Sequence, residues 1–284
     1  MKTFREAVQG DRFSISAELT VKRDSTADDI RRQADLLGED VDGIQVTDNP
    51  YAWVQMSALS AAGILIGHGV DPVPILTCRD RNRIALQSDL LGLQALGVTS
   101  LMLMRGHRVP KNHALPSGTV FDLTGRELIK LAASVDQRFF VGTGARAFRP
   151  GPRWRAESLV ARAAAGAQFV QTQLCFNMEI LRHFMRRFVA TKLTRDYSVM
   201  VSLSPLPSAE TALWVKENMS DSRIPAAVIQ RLENARNPER EGIEICAELM
   251  QEISQIPGVA GVNLMTTGDP AAIPAAIRAS DLRS

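Results

Sequence analysis

Cysteine is scarce in this chain. Its 284 residues hold three, Cys78, Cys175 and Cys246, an odd number without metal-ligand spacing. No apolar stretch approaches the ~20 residues that span a bilayer, and no signal-like segment precedes Phe4, so the expectation is a cytoplasmic protein with reduced thiols and no membrane partner. An excess of charge of one sign is also missing. The 33 lysines and arginines against 31 aspartates and glutamates leave a formal net charge of +2, which argues against nucleic acid as a partner. The arginine clusters Arg182, Arg186, Arg187 and Arg79, Arg81, Arg83 are too local to change this, and the first reads as a solvated helix face. Internal repeats, low-complexity tracts and composition breaks are absent. Residues 1–284 are therefore read as one domain, and 45% apolar content is enough to bury one large core.

What is present is a regular alternation of short apolar runs with segments of helical period. Strands are expected at Ser14 to Leu19, Gly43 to Val46, Val73 to Thr77, Ser100 to Met104, Phe139 to Thr143, Phe169 to Thr172, Val199 to Leu203 and Val259 to Leu264. Eight is the number that closes a parallel (β/α)8 barrel, and that α/β barrel is the expected fold. Helices are expected at Thr26 to Leu37, Arg83 to Leu96, Gly125 to Ala133, Arg155 to Ala165, Met178 to Val189 and Pro238 to Ile253, among others. Ser25 and Thr26 before Asp28 and Asp29 supply a cap and first-turn negative charge, and Gly97 ends the helix that begins at Arg83. Arg105 to Gly118 reads as a long loop.

Polar residues cluster just after the expected strands, where a barrel opens its site. Thr77-Cys78-Arg79-Asp80-Arg81-Asn82-Arg83 places three arginines after the third strand, which suggests a polar, anionic ligand. The other positions are Glu18; Thr47-Asp48-Asn49; Arg105-Gly106-His107; Ala145 and Arg146; Gln173; Ser204 to Pro207; and Thr266-Thr267-Gly268-Asp269. Taken singly, Thr26, Asn82 or Asp269 reads better as a cap or turn residue, because such sites favour these types. Glu18 differs, since it ends a strand of apolar and small residues. Burial there raises a carboxyl pKa, which suits a general acid, and a pairing with a rim arginine is the competing reading.

The run TCRDRNRIALQSDLLGLQALGV (Thr77 to Val98) closely resembles the methylenetetrahydrofolate reductase family, in particular the branch often fused behind a homocysteine methyltransferase domain. The resemblance extends from Ile15 to Ile277. VTDNPYAWVQMSAL (Val46 to Leu59), AGAQFVQTQLCFN (Ala165 to Asn177) and EGIEICAELMQEI (Glu241 to Ile253), followed by GVAGVNLMTTGDP, are similar to separate blocks of that family. It implies a flavin-dependent oxidoreductase that interconverts 5,10-methylenetetrahydrofolate and 5-methyltetrahydrofolate. The cofactor implied is FAD, with FMN or no flavin as alternatives, and the electron partner is NADH or NADPH. A rim that holds flavin and then either nicotinamide or folate implies ping-pong kinetics, with the pterin stacked on the flavin.

By the same resemblance Glu18 protonates the pteridine so that the five-membered ring opens, although Thr20-Val21-Lys22-Arg23 stands where the family has prolines. Gln173 is matched to a glutamine that reads the pterin edge, and Asn49 and Thr266 are assigned with it to the substrate. Thr47, Arg105, Gly106, His107, Ala145 and Arg162 are assigned to the flavin, Arg162 standing in for a phosphate-binding lysine. His107 replaces a family aspartate beside the flavin and is assigned a catalytic role with Glu18. Loss of that negative charge makes a flavin a better electron acceptor, which turns the expected direction toward oxidation of methyltetrahydrofolate. A homo-oligomer and a methyltransferase partner are also expected. Two other readings remain open: a flavin-independent reductase using NADH, and a non-catalytic subunit of a methyltransferase system. Metal binding is not expected, because His68 and His113 lie in loop-like contexts and His183 has only Glu179 at ligand spacing. Phe176 and Trp214 are read as apolar anchors.

Overall fold

The structure is a computed structural model and describes residues 3–109, 117–266 and 268–283. Eight parallel strands close into a barrel in sequence order: β1 (Ser14–Glu18), β2 (Gly43–Val46), β3 (Pro72–Thr77), β4 (Ser100–Met104), β5 (Phe140–Ala145), β6 (Ala167–Leu174), β7 (Ser198–Leu203) and β8 (Val259–Leu264). Closure is made by β1 on β8, with Ser14 opposite Gly261 and Ala17 opposite Leu264. The helices are α1 (Phe4–Val8), α2 (Ala27–Leu37), α3 (Ala58–Gly67), α4 (Arg83–Ala95), α5 (Gly125–Val135), α6 (Glu157–Ala163), α7 (Met178–Ala190), α8 (Ala209–Asn218), α9 (Ala226–Asn234), α10 (Pro238–Ser254) and α11 (Ala272–Ala279). None of the described helices is long and apolar enough to cross a membrane.

Strand parity sorts the side chains. Ile15, Ala17, Ile44, Val46, Leu101, Leu103, Val199 and Val201 point outward and form one core with the helices, as alternation along a strand requires. At the lower end of the lumen Phe4, Val73, Phe140, Phe169 and Met200 form a separate apolar plug. Phe4 belongs to α1, which seals the floor from below. Its ring lies 5.6 Å from Phe169, and the Phe140 and Phe169 rings stack at 4.9 Å. Two strand glycines make room for them: a Cβ on Gly43 would fall 2.5 Å from the Phe4 ring, and one on Gly142 would fall 2.1 Å from the Phe169 ring.

The expected elements are present, with adjusted ends. Thr26 is the N-cap of α2 in a capping box with Asp29, and the segment expected as Arg155 to Ala165 shortens to α6. Helix α3 carried no usable pattern, because ALSAAGILIG is apolar on every side and offers no polar face. Between β7 and β8 the chain inserts α8 and α9 ahead of α10. These build a small second core in which Phe176 is buried with Leu206, Val215 and Leu232, whereas Trp214 is exposed.

Candidate active site

Above the apolar plug the lumen turns polar. Gln45 donates from Nε2 to Oε1 of Gln171 at 2.6 Å, and Ser16 donates to Oδ1 of Asn263 at 2.8 Å, with Ser16, Gln45 and Asn263 fully buried. Glu18 tops this layer, directly opposite Gln45 in the β1–β2 register. Its carboxylate has no hydrogen bond or ion pair among the described residues, and burial pushes its pKa from 4.5 up to about 7. The competing reading, a glutamate paired with a rim arginine, therefore does not hold in the structure. A carboxylic acid that gains and loses a proton near neutrality is equipped to act as a general acid.

The arginines that follow β3 have other partners. Arg79, only 2% exposed, grips Asp80 through Nε and Nη2 at 2.7 Å and donates to the carbonyl of Asn49 at 2.8 Å. Burial disfavours the Asp80 carboxylate, but the Arg79 hydrogen bonds and charge outweigh it and hold its pKa below the usual value. Arg81 is paired with Asp48 and Asp89, and Asp48 also accepts from the Thr77 amide and hydroxyl at 2.8 Å. The expectation of an anion site at Arg79 and Arg81 is corrected accordingly. Their guanidinium groups fasten the β2 loop to the β3 loop.

That fastening supports an uncommon backbone. Asn49, Tyr51 and Ala52 have φ of 46°, 53° and 66°, the left-handed region that costs a non-glycine residue roughly 1–2 kcal/mol. The Asn49 side chain accepts from the Gln55 amide at 3.1 Å, and Gln55 donates back to the carbonyl of Thr47 at 2.6 Å and to its hydroxyl. Thr47 and Asn49 thus organise the loop. Its tip carries Tyr51, exposed and near enough to Glu18 that the carboxylate's charge, after burial, raises the phenol pKa. The Tyr51 ring lies parallel to that of His107, with centroids 6.4 Å apart and planes 6° from parallel. Tyr51 is the rim residue that reading the sequence missed. Its only signal was its place in the block after β2.

The opposite side of the mouth is built by β4, β5 and β6. Gly106 has φ of 82°, and a Cβ there would meet that of Thr77 at 3.0 Å, so the turn that presents His107 needs glycine. Arg105 stacks over Phe121 at 4.2 Å. A cavity of about 640 Å³ opens beside this turn, lined among others by Met104, Gly106, His107, Arg126, Gly144 and Arg162. Arg162 donates to the Thr143 hydroxyl and to the carbonyls of Gly144 and Ser158. Burial lowers its pKa, and its Nη2 has no hydrogen bond among the described residues. Ala145 is buried in the core between strands and helices.

Gln173 donates to the carbonyls of Ala147 and Asp221, both at 3.0 Å, and accepts from the Ala147 amide at 2.9 Å. Its amide joins two rim loops. Thr266 at the end of β8 accepts from the Gly268 amide at 3.0 Å. His68 pairs with Asp35 at 2.6 Å, and His183 faces the Pro150 carbonyl while Glu179 pairs with Arg149. His113 and Thr267 lie outside the described residues.

The structure therefore brings Glu18, Tyr51 and His107 together at the mouth and sets Arg162 in the adjoining cavity. The family model for methylenetetrahydrofolate reductase matches residues 3–280. The chain belongs to that family. A curated relative from Caenorhabditis elegans, named a probable methylenetetrahydrofolate reductase (NADPH), is 25% identical over 227 residues, which cover 75% of this chain and 33% of the relative. The chain thus spans about a third of that relative's length. Among solved structures, a protein of Clostridium thermocellum described as binding two copies of 5-methyl-5,6,7,8-tetrahydrofolic acid superposes with a TM-score of 0.64. That match covers 97% of this chain and 96% of the other at 13% identity. At that identity the likeness concerns the fold alone.

Proposed function

We propose that this member of the methylenetetrahydrofolate reductase family interconverts 5,10-methylenetetrahydrofolate and 5-methyltetrahydrofolate, with NADH or NADPH as the electron partner. The observation that carries the reading is Glu18, a carboxyl without a hydrogen-bond or ion-pair partner among the described residues, whose pKa, raised by burial to about 7, suits proton transfer at neutral pH. In the substrate one carbon bridges N5 and N10, and in the product it stays on N5 as a methyl group. The bond that breaks is therefore the one to N10, which gains a proton while the carbon gains a hydride. Glu18 is assigned the proton and is reprotonated from solvent at the open mouth.

The residues around the 640 Å³ cavity fit a flavin. Gly144 has no side chain to block the space beside Met104, and Arg126 and Arg162 supply positive charge suited to a diphosphate. Arg162 and Arg126 would hold the phosphates, and Gly106 and Gly144 would face the ring. A flavin bound there would supply hydride transfer between the nicotinamide and the one-carbon unit. Gln173 keeps a folate role in this proposal through exchange of its Asp221 hydrogen bond for the pterin edge. The exchange favours folate over ligands without a matching donor and acceptor.

Purified protein mixed anaerobically with methylenetetrahydrofolate and each nicotinamide in turn tests the reading, with the folate products separated by chromatography. Formation of 5-methyltetrahydrofolate is expected, together with a visible flavin band in the spectrum of the protein. No product with either donor overturns the activity. Turnover by a colourless protein overturns the flavin and leaves direct transfer from NADH.

A further inference from the structure

The turn that carries Tyr51 is wound through left-handed backbone at three of four positions, Asn49, Tyr51 and Ala52. It is pinned from behind by the buried Arg79 and from the side by Gln55. Yet the Tyr51 ring at its tip is 42% exposed, so its own burial gives little return for holding the turn in this form. What the turn achieves is placement. The ring stands beside Glu18 and parallel to His107, and their 6.4 Å centroid separation exceeds direct face-to-face contact. It is narrower by at least ~0.6 Å than the ~7 Å that two rings need when each makes a ~3.5 Å contact with a third ring between them, so entry of a ring requires the two exposed side chains to part by that much.

We propose that Tyr51 and His107 are the walls of a slot above Glu18 that takes a flat aromatic ring, the p-aminobenzoyl ring of the folate. This rests on the function proposed above. A ring covered on both faces cannot be the one whose face meets a hydride donor, which excludes the pterin from the slot. The aminobenzoyl ring does not react, and it is bonded directly to N10. Clamping it beside Glu18 therefore brings the nitrogen that must be protonated to the acid that protonates it. In this arrangement Tyr51 is a specificity residue that contacts substrate, and Arg79 and Gln55 are positioning residues acting through the turn.

The test measures, by titration calorimetry, the affinity of the full chain for 5-methyltetrahydrofolate and for 5-methyltetrahydropterin, which lacks the aminobenzoyl group. Wild type is compared with Tyr51→Phe and Tyr51→Leu. Tyr51→Phe should stay within about twofold of wild type. Tyr51→Leu should weaken intact folate by about tenfold, the scale of one lost aromatic stacking contact, while leaving the truncated pterin unchanged. Equal weakening of both ligands overturns the assignment to the aminobenzoyl ring, and no weakening of either overturns the slot. Failure of wild type to bind 5-methyltetrahydrofolate defeats the functional proposal instead, and the two failures are thereby told apart. A melting temperature for each variant separates lost binding from lost fold.

Discussion

The two ends of the barrel lumen meet opposite demands with the same eight strands. At the floor, inward positions carry Phe140, Phe169, Val73 and Met200, closed by Phe4 from outside the sheet, and these side chains meet one another through apolar contacts. At the mouth, the same inward parity carries Ser16, Gln45, Gln171, Asn263 and finally Glu18, whose carboxylate has no partner among the described residues. The floor gains stability from burial, whereas burial at the mouth opposes the ionised form of Glu18 and lowers stability in exchange for a reactive proton. The lesson is that burial in one lumen serves folding or chemistry according to what is buried.

The largest effect is expected at the floor. Phe169→Ala removes a fully buried ring in contact with two others and should lower unfolding free energy by about 3–5 kcal/mol, read from the denaturant midpoint. A loss below about 1 kcal/mol would show that the floor is loosely packed and break the contrast. Next in size, Glu18→Gln at the mouth should reduce turnover of methylenetetrahydrofolate by ~100-fold or more, the scale of general-acid catalysis. Oxidation of the nicotinamide by an artificial acceptor should continue, and an equal fall in both rates would remove Glu18 from the proton step.

The same variant also sharpens the stability side. Glu18 ionises near 4.5 in the unfolded chain and near 7 in the folded one, so between these values the folded state holds more protons. Stability therefore falls as pH rises through that window and levels off above it. Glu18→Gln should thus match wild type near pH 4 and exceed it near pH 8 by on the order of 2 kcal/mol, given some solvent at the mouth. A parallel pair of stability curves would contradict the raised pKa. The smallest effect is expected at His107, which is exposed and so screened. His107→Asp should lower the potential of a bound flavin by tens of millivolts and slow methyltetrahydrofolate oxidation relative to methylenetetrahydrofolate reduction. A constant or higher potential would show that the residue does not tune the flavin.

Much of the framework was legible because it depends on local pattern. β2, β4 and β8 begin and end where alternation and flanking turns place them, and Thr26 and Asn82 cap α2 and α4. The site was legible as a ring of strand ends but not as a set of partners. Nothing near Arg79 in sequence says that the Asn49 carbonyl engages it, nor near Arg81 that Asp48 does, since both depend on how two loops meet in space. Likewise the pairing of Gln45 with Gln171 follows from the stagger of strands around the barrel, which no single segment encodes. Tyr51 was lost for a related reason. Its place beside Glu18 follows from a left-handed turn held by residues from another loop.

Closure of the barrel also fixes an order of assembly. Ser16 and Asn263, joined by one hydrogen bond, are 247 positions apart, and the rings that Phe4 packs against lie far along the chain on β5 and β6. Contacts of such sequence separation form late, after the entropy of a very large loop has been overcome. During synthesis β1 keeps one edge open until β8 exists, and the half-built sheet exposes the phenylalanines that will later seal its floor. The feature that makes the finished lumen tight therefore makes the growing chain sticky, and a chaperone's greatest leverage falls in the interval before the eighth strand arrives.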